Sequence, residues 1–398
     1  MQTQVIKVNA ANFTFTTSND EFPQQNGKVV LTNEHDQSAI QKAVDWLKQG
    51  EAVGIPTETV YGLAANALSA DAVSKIFAAK NRPQDNPLIV HVSSMDMLKS
   101  ILPNNTVPDV YLPVIRKHWP GPLTIILPAS SMIPSSVTCG HPTVAVRFPS
   151  HPVARGLIDA CGFPLAAPSA NSSGKPSPTL ASHVYHDLEG KIPFILDGGA
   201  CDVGVESTVL DGLRTPPAIL RPGGLTYEDL KVIPGMEGLQ VYRKDFVDKD
   251  LEMAPTTPGM KYRHYSPEAM VILIDSKESS SNGSDFDERF EATWREQLKT
   301  VQSTGVGISK VGILRTVAEE ERDYVWETSE TENEIEYISL QMGRQAHPEE
   351  VARGVFKGLR DLDSRAVDII FVQGVSEDRE GMAVMNRLRK AASKVFEV

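Results

Sequence analysis

Apolar residues along this chain recur first at helical spacing and then in short unbroken runs, and the two patterns alternate. Ile40, Val44 and Leu47 lie three or four positions apart before Gly50, which predicts an amphipathic helix over 36–48. Val53-Gly54-Ile55 then reads as a short buried strand entering Pro56. Val73, Ile76 and Phe77 predict a second helix over 71–80, followed by a polar loop and an apolar strand at 88–92. Further strands are predicted at 123–127, 144–148, 165–167, 194–196, 207–210 and 218–220, with helices interleaved at 153–160 and 179–188. Strands alternating with helices over roughly 200 residues describe one α/β domain with a sizeable mixed sheet.

Strong periodicity stops over 232–267, a stretch rich in Pro, Gly and charge that contains Thr256-Thr257-Pro258-Gly259 and reads as a linker. The alternation then restarts, with strands at 270–274, 310–314 and 367–372, a helix at 347–361 and a last helix within 385–395. This second, smaller α/β unit has the pattern of a nucleotide-type fold. Gly305-Val306-Gly307, however, lacks the third glycine and the helix of a dinucleotide fingerprint and reads as a loop. The segment 276–284, full of Ser, Asn, Gly and acid, reads as a flexible insertion.

Composition narrows the class. At 398 residues the chain is too long for one ordinary core, and 41% hydrophobic with 23% charged residues is the balance of a globular protein. No apolar run approaches the roughly 20 residues that span a bilayer, so no membrane association is expected. The first 20 residues carry one lysine, no arginine and no compact apolar block, which argues against a secretory signal. Cys139, Cys161 and Cys201 are too few for a disulfide framework and too widely spaced for a zinc knuckle, so reduced thiols and a cytoplasmic location are expected. A net charge of −12 weighs against general binding to a polyanion but leaves room for a local basic cleft and weak tRNA contact. Much of the acid lies late, in Glu319-Glu320-Glu321 and Glu327 to Glu336, and reads as solvated loop surface.

The chemistry-bearing residues gather in polar loops just after apolar strands, where open α/β sheets bind substrates. Pro56-Thr57-Glu58-Thr59-Val60-Tyr61-Gly62-Leu63 offers hydroxyls and a carboxylate that could hold a small polar ligand or equally cap the next turn. Lys80-Asn81-Arg82-Pro83 ends a helix, where cations complement the dipole, yet a Lys–x–Arg pair is also what a phosphate or carboxylate clamp requires. Trp119-Pro120-Gly121-Pro122-Leu123-Thr124 reads as a rigid structural corner. Arg147, inside the apolar run 144–148, must find a partner or a ligand if buried. Ala166 to Gly174 is a run of small and hydroxyl residues that suits either a phosphate cradle or a plain turn. Gly204-Val205-Glu206-Ser207-Thr208 and Arg221-Pro222-Gly223-Gly224 add polar groups beside short strands. Together these segments point to an anionic ligand. No nucleophile–histidine pair stands out, and His91 reads as a core histidine or a ligand contact. Positioning and charge stabilisation by Lys, Arg and a metal are therefore the natural mechanism.

Seven ordered segments carry a resemblance. PTETVYGLA (56–64), KNRPQDNPLIVHV (80–92), WPGPLT (119–124), VAVRFPSHP (144–152), APSANSSGKPSPT (167–179), GVEST (204–208) and LRPGG (220–224) resemble the Sua5/YrdC family, the threonylcarbamoyl-AMP synthases. The family's KxR…SxN signature stands as Lys80, Arg82, Ser169 and Asn171, the expected catalytic residues. The linker PGMKYRHYSP (258–267) and the α/β unit after it resemble the two-domain Sua5 form.

That resemblance implies a YrdC-like twisted mixed sheet with helices, plus a smaller C-terminal Rossmann-like α/β domain. It divides the chain into an N-terminal extension (1–35), a catalytic domain (36–233), a linker or lid (234–268) and a C-terminal domain (269–398). It implies synthesis of threonylcarbamoyl-adenylate from L-threonine, bicarbonate and ATP, with Mg²⁺ on the phosphates and pyrophosphate released. The product feeds the transferase machinery that modifies adenosine 37 of tRNA. The implied threonine pocket is Thr59, His91, Arg147, Ala167 and Ser207, with Arg147 on the carboxylate. The implied ATP contacts are Lys80, Arg82, Asn86, Thr143, Ser169, Asn171, Ser177 and Arg221, with Tyr262, His264 and Tyr265 reaching over the site from the linker. A metal cage made of protein side chains is not expected. Two rivals stand beside this reading. The related carbamoyltransferases carry cysteine-rich zinc fingers that three scattered cysteines cannot supply. An RNA-binding module would need aromatic–basic interleaving, which the chain lacks.

Overall fold

The computed structural model describes residues 2–22, 24–253, 255–257, 264–276, 284–317 and 327–398. The chain divides into two compact units, Met1–Ser173 with Ser177–Tyr262, and Gly174–Pro176 with Arg263–Val398.

The first unit contains β1 (Gln4–Lys7), β2 (Phe13–Phe15), β3 (Val29–Leu31), β4 (Val53–Ile55), β5 (Gly62–Asn66), β6 (Ile89–His91) and β7 (Leu123–Pro128). It continues with β8 (Thr143–Arg147), β9 (Leu165–Ala166), β10 (Phe194–Asp197), β11 (Thr208–Asp211), β12 (Ala218–Arg221) and β13 (Gln240–Val241). Among the described residues, eleven of these form one mixed sheet in the order β1-β10-β4-β5-β9-β6-β8-β7-β11-β12-β13, and β2 pairs with β3 as a separate hairpin. The strands β4, β6 and β10 are buried almost throughout and mostly apolar, broken only by His91 and Asp197 at their ends, because both faces of the sheet are covered.

The helix Glu34–Lys48 starts where the Asn33 side chain accepts from the Asp36 amide at 3.1 Å. It buries Ala39, Ile40, Ala43, Val44 and Leu47 against Val53, Ile55, Phe194 and Leu196, together with Val153 and Leu157 of the helix Pro152–Cys161. Phe13 joins the same core, and β1 runs parallel to β10 at the sheet edge.

The second unit holds β14 (Met270–Asp275), β15 (Lys310–Val317), β16 (Glu327–Glu332), β17 (Ile335–Arg344), β18 (Ile369–Gln373) and β19 (Lys394–Glu397). They form a sheet in the order β16-β17-β15-β18-β14-β19, parallel throughout except for the β16–β17 pair. The helices Ser284–Ser303, Pro348–Ser364 and Gly381–Ala391 accompany it. Its core packs Ile272, Phe290, Trp294, Ile313, Ile369 and Phe371. A large mixed sheet and a smaller, mainly parallel one are the two α/β units that the alternation predicts.

Several elements depart from the pattern. The acidic stretch 327–332 is a strand, not a loop; at a sheet edge only the backbone must pair, so its side chains stay in water. The helix Ser284–Ser303 begins at the last residue of the stretch read as an insertion. The last helix starts earlier than expected, at Gly381, and 394–397 form β19. Glu319 to Glu321 lie outside the described residues. Among the described residues no helix is long and apolar enough to cross a membrane, and the three cysteines are free.

Candidate active site

One row of register partners crosses the middle of the large sheet. His91 on β6 is opposite Arg147 on β8, and Arg147 is opposite Thr124 on β7, so the three side chains share a face. All three are buried, although their strands are mostly apolar. The hydroxyl of Thr124 lies 2.7 Å from that of Ser207, which stands immediately before β11. The turn Trp119–Leu123 delivers Thr124 to this place: Gly121 donates to the Phe148 carbonyl at 2.8 Å and Thr208 to the Pro122 carbonyl at 3.0 Å.

Arg147 is the centre of the row. Its Nη1 donates to Thr59 Oγ1 at 2.7 Å, and its Nη2 lies 2.6 Å from Glu58 Oε1. Thr59 is in turn held by the Thr57 hydroxyl at 2.9 Å, in the tight connection between β4 and β5. Nε and Nη2 of Arg147 are buried without a partner in hydrogen-bond geometry. A buried guanidinium edge left open in this way is a ready receptor for a carboxylate.

Burial alone would raise the Glu58 pKa, but the Arg147 charge holds it below the ordinary carboxylate range. Burial, reinforced by Arg147, lowers the His91 pKa to about 3, so the imidazole is neutral. Its Nδ1 lies 3.1 Å from the Ile89 carbonyl, which can only accept, and Nε2 is therefore left as an acceptor.

A second cluster forms around the helix Ala70–Lys80. Asn81 leaves this helix in the left-handed conformation, and Lys80 turns inward, 1% exposed. Its Nζ donates to the carbonyls of Ser169 and Asn171, both at 2.5 Å. The dipole-complement reading of Lys80 therefore gives way to one in which the ammonium organises the loop after β9. That loop is stitched to the β4–β5 connection, since Leu63 donates to Pro168 and Ala170 to Tyr61, both at 2.8 Å. Ala167 is bound to Ile89 through its amide at 3.0 Å.

The remaining predicted residues frame these clusters. Arg82 Nε and Nη2 donate to the Asn86 and Pro87 carbonyls at 3.2 and 3.0 Å, and the Asn86 amide nitrogen is buried without a partner. Thr143, half-buried, opens β8. The buried Ser177 donates to Glu206 Oε1 at 2.6 Å. Arg221 Nη2 donates to the Ser207 carbonyl at 2.9 Å. Gly223 packs so closely on this strand that a Cβ would meet Ser207 C and Thr208 N at 2.3 Å. Tyr265 belongs to the second unit, its ring 5.1 Å from that of Phe356 and 5.6 Å from that of His264. Tyr262 lies outside the described residues.

Three residues stand in the candidate segments but receive no individual role from the sequence, and the fold brings them in: Glu58, Thr124 and Glu206. Glu58 had a usable signal, because an arginine buried in an apolar strand calls for a carboxylate that is itself flanked by apolar residues. Thr124 had none, since its role depends on the cross-strand register.

Comparison with known proteins agrees with this architecture. Residues 45–223 match the Sua5/YciO/YrdC family model described as "Telomere recombination", and residues 225–393 match the model described as "Threonylcarbamoyl-AMP synthase, C-terminal domain". The threonylcarbamoyl-AMP synthase of Schizosaccharomyces pombe is 44% identical, covering 99% of this chain and 98% of that protein. That of Bacillus subtilis is 41% identical, covering 89% and 92%. The crystal structure of Pyrococcus abyssi Sua5 complexed with L-threonine superposes with a TM-score of 0.75 at 39% identity, covering 90% of this chain and 96% of that one. Two family models in tandem, end-to-end relatives and a shared fold place this chain in the Sua5/YrdC family of threonylcarbamoyl-AMP synthases.

Proposed function

We propose that this enzyme makes threonylcarbamoyl-adenylate on the His91–Arg147–Thr124 face of its large sheet, as the first step of threonylcarbamoyladenosine formation in tRNA. The observation that carries the reading is the open Nε–Nη2 edge of buried Arg147, flanked by Thr59 and register-paired with neutral His91. A carboxylate of L-threonine satisfies that edge with two parallel charge-assisted bonds. Thr59, His91 Nε2, the Ala167 backbone and Ser207 are then left for the amine and side chain of the amino acid. The likeness to a Sua5 structure complexed with L-threonine supports the same assignment.

In the proposed reaction the threonine amine adds to the carbon of bicarbonate, and loss of water leaves a carbamate. A carbamate oxygen attacks the α-phosphorus of ATP, a P–O bond forms, and pyrophosphate leaves. Lys80, Arg82 and Arg221 supply positive charge for the phosphates, with Asn86, Thr143, Ser169, Asn171 and Ser177 as hydrogen-bonding neighbours. Because the carbamate is short-lived, a dry pocket of buried hydroxyls and a neutral imidazole serves the second step.

Mg²⁺ fits as a companion of the nucleotide. Among the described residues no three His, Cys, Asp or Glu side chains gather to hold an ion, and Mg²⁺ habitually takes phosphate oxygens, waters and one or two carboxylates. Glu206, buried and bonded to Ser177, is a carboxylate beside the residues assigned to the nucleotide. Three free thiols suit the reducing cytoplasm, and transfer of the product to tRNA falls to a separate transferase.

The test is pyrophosphate release by the purified protein with ATP, Mg²⁺ and bicarbonate, with and without L-threonine, and with L-serine as control. Release is expected to need threonine and bicarbonate together. Turnover indifferent to threonine would move the function to another adenylating or carbamoylating reaction.

A further inference from the structure

We infer that Glu58 is a positioning and specificity residue: it charge-pairs Arg147 without using its open donors, making the pocket selective for a zwitterionic amino acid. The inference rests on the reading of Arg147 as the carboxylate receptor. Glu58 lies in the connection between β4 and β5 and is 5% exposed. Its own carbonyl accepts from Val203 at 2.8 Å, and its Oε2 faces the His151 amide at 3.4 Å, so both ends of the residue are anchored.

The contact with Arg147 is unusual in its direction. Oε1 lies 2.6 Å from Nη2 in a charge-assisted contact outside straight hydrogen-bond geometry, and no other group meets Nη2 or Nε. Glu58 therefore compensates the charge of a buried guanidinium, which would otherwise stand alone at high desolvation cost, and leaves its fork free. Thr59 on Nη1 and Glu58 on Nη2 together fix the plane of the fork before substrate arrives.

The net charge of the pocket follows. Glu58 carries −1, Arg147 carries +1, His91 is neutral, and Thr59, Thr124 and Ser207 are uncharged; behind Ser207, Arg221 adds +1 and Glu206 −1. A pocket that is neutral overall but internally separated matches a zwitterion, whose carboxylate meets Arg147 while its ammonium is drawn towards the acid. A simple carboxylate anion brings a charge that Glu58 opposes. Without the Glu58 charge, the pocket becomes an anion site.

The experiment compares wild type, Glu58→Gln and Glu58→Asp, using the KM values for L-threonine and ATP and the inhibition constant of acetate against threonine. For Glu58→Gln, the threonine KM is expected to rise about tenfold while the ATP KM stays within about twofold. Acetate should become at least about fivefold more potent as a competitor of threonine, since the repelling charge is gone. Glu58→Asp keeps the charge and should bring the acetate constant back towards wild type. An unchanged threonine KM, a parallel rise in both KM values, or an acetate constant that does not move would each overturn the inference. Should Glu58→Gln not fold, judged by circular dichroism, Glu58→Asp decides alone: altered threonine KM with acetate still excluded supports the inference, and any gain in acetate potency overturns it. Arg147→Lys is measured in parallel. If it leaves the threonine KM unchanged, the assignment of Arg147 itself falls; if only Arg147→Lys acts, that assignment stands and the role of Glu58 does not.

Discussion

Arg147 and Lys80 are both buried cations of the first unit, 4% and 1% exposed, but the fold treats them differently. Arg147 is set beside a carboxylate, off its hydrogen-bond directions, and keeps two donor groups open. Lys80 sends its ammonium into the carbonyls of Ser169 and Asn171, so its donors shape a loop. The first arrangement leaves donor groups for the proposed carboxylate, whereas the second ties an ammonium into the loop that borders the proposed phosphate site. Burial by itself therefore does not tell how a cation serves the site; the direction of its N–H bonds relative to its partners separates a side chain left open from one that also shapes a loop.

The strongest way to break this contrast is to truncate Arg147. Arg147→Ala removes the receptor and strands Glu58, and catalytic efficiency with L-threonine should fall roughly 10²–10³-fold. The melting temperature should fall as well, because an uncompensated buried carboxylate remains. Steady-state kinetics should find the ATP KM nearly unmoved. A matching loss for both substrates would mean that Arg147 acts on the whole site.

Lys80→Met keeps the length of the side chain and removes its charge. It should lower kcat about 100-fold and raise the ATP KM, with the loop 169–179 cut faster by protease than in wild type. A change confined to the threonine KM would erase the distinction between the two cations.

Thr124→Val sharpens the Arg147 side of the contrast. It removes the partner of the Ser207 hydroxyl without changing volume, and about a fivefold rise in the threonine KM is expected for one lost hydrogen bond. Equal activity would mean that Ser207 is held by Arg221 alone.

The smallest effect is on stability against pH. The unfolded chain protonates His91 near the ordinary pKa of 6.5, whereas the folded protein refuses the proton until about 3. Stability is therefore full above 6.5 and declines as pH falls below it. Glu58 acts in the same direction but lower. Its depressed pKa gives a contribution that is present above the ordinary 4.5 and is lost as pH falls through the folded value. Half-buried His118 and buried His151 are also shifted down, mainly by desolvation, and share the upper window. In denaturant titrations between pH 6.5 and 4.5, His91→Gln should flatten the slope without abolishing it. An unchanged slope would mean that His91 can take a proton in the folded state.

Much of the fold was legible because periodicity reports burial directly. The helix predicted over 36–48 is observed as Glu34–Lys48, and the strand predicted at 144–148 as Thr143–Arg147. Gly62–Asn66 escaped notice because GLAAN has neither alternation nor β-branched residues; its strand identity comes from pairing with β4 and β9. Edge strand β16 escaped because its composition is that of a loop, and only the backbone of β17 makes it a strand.

The site divides in the same way. Local sequence determined which residue types were available: hydroxyls and a carboxylate in 57–59, an arginine inside an apolar run, a Lys–x–Arg at a helix end, and a loop of small residues after a strand. Solvation chemistry acts on each residue alone, so a charge in an apolar context signals a demand for a partner. Which partner answers that demand was decided only by the tertiary structure. The register across β6, β8 and β7 joins positions 91, 147 and 124 in one row, and the β4–β5 connection brings Glu58 to 2.6 Å from Arg147. Hydrogen-bond directions and the sharing of charge between residues far apart in sequence exist only once the strands have paired, which is why the open edge of Arg147 belongs to the fold and not to the sequence.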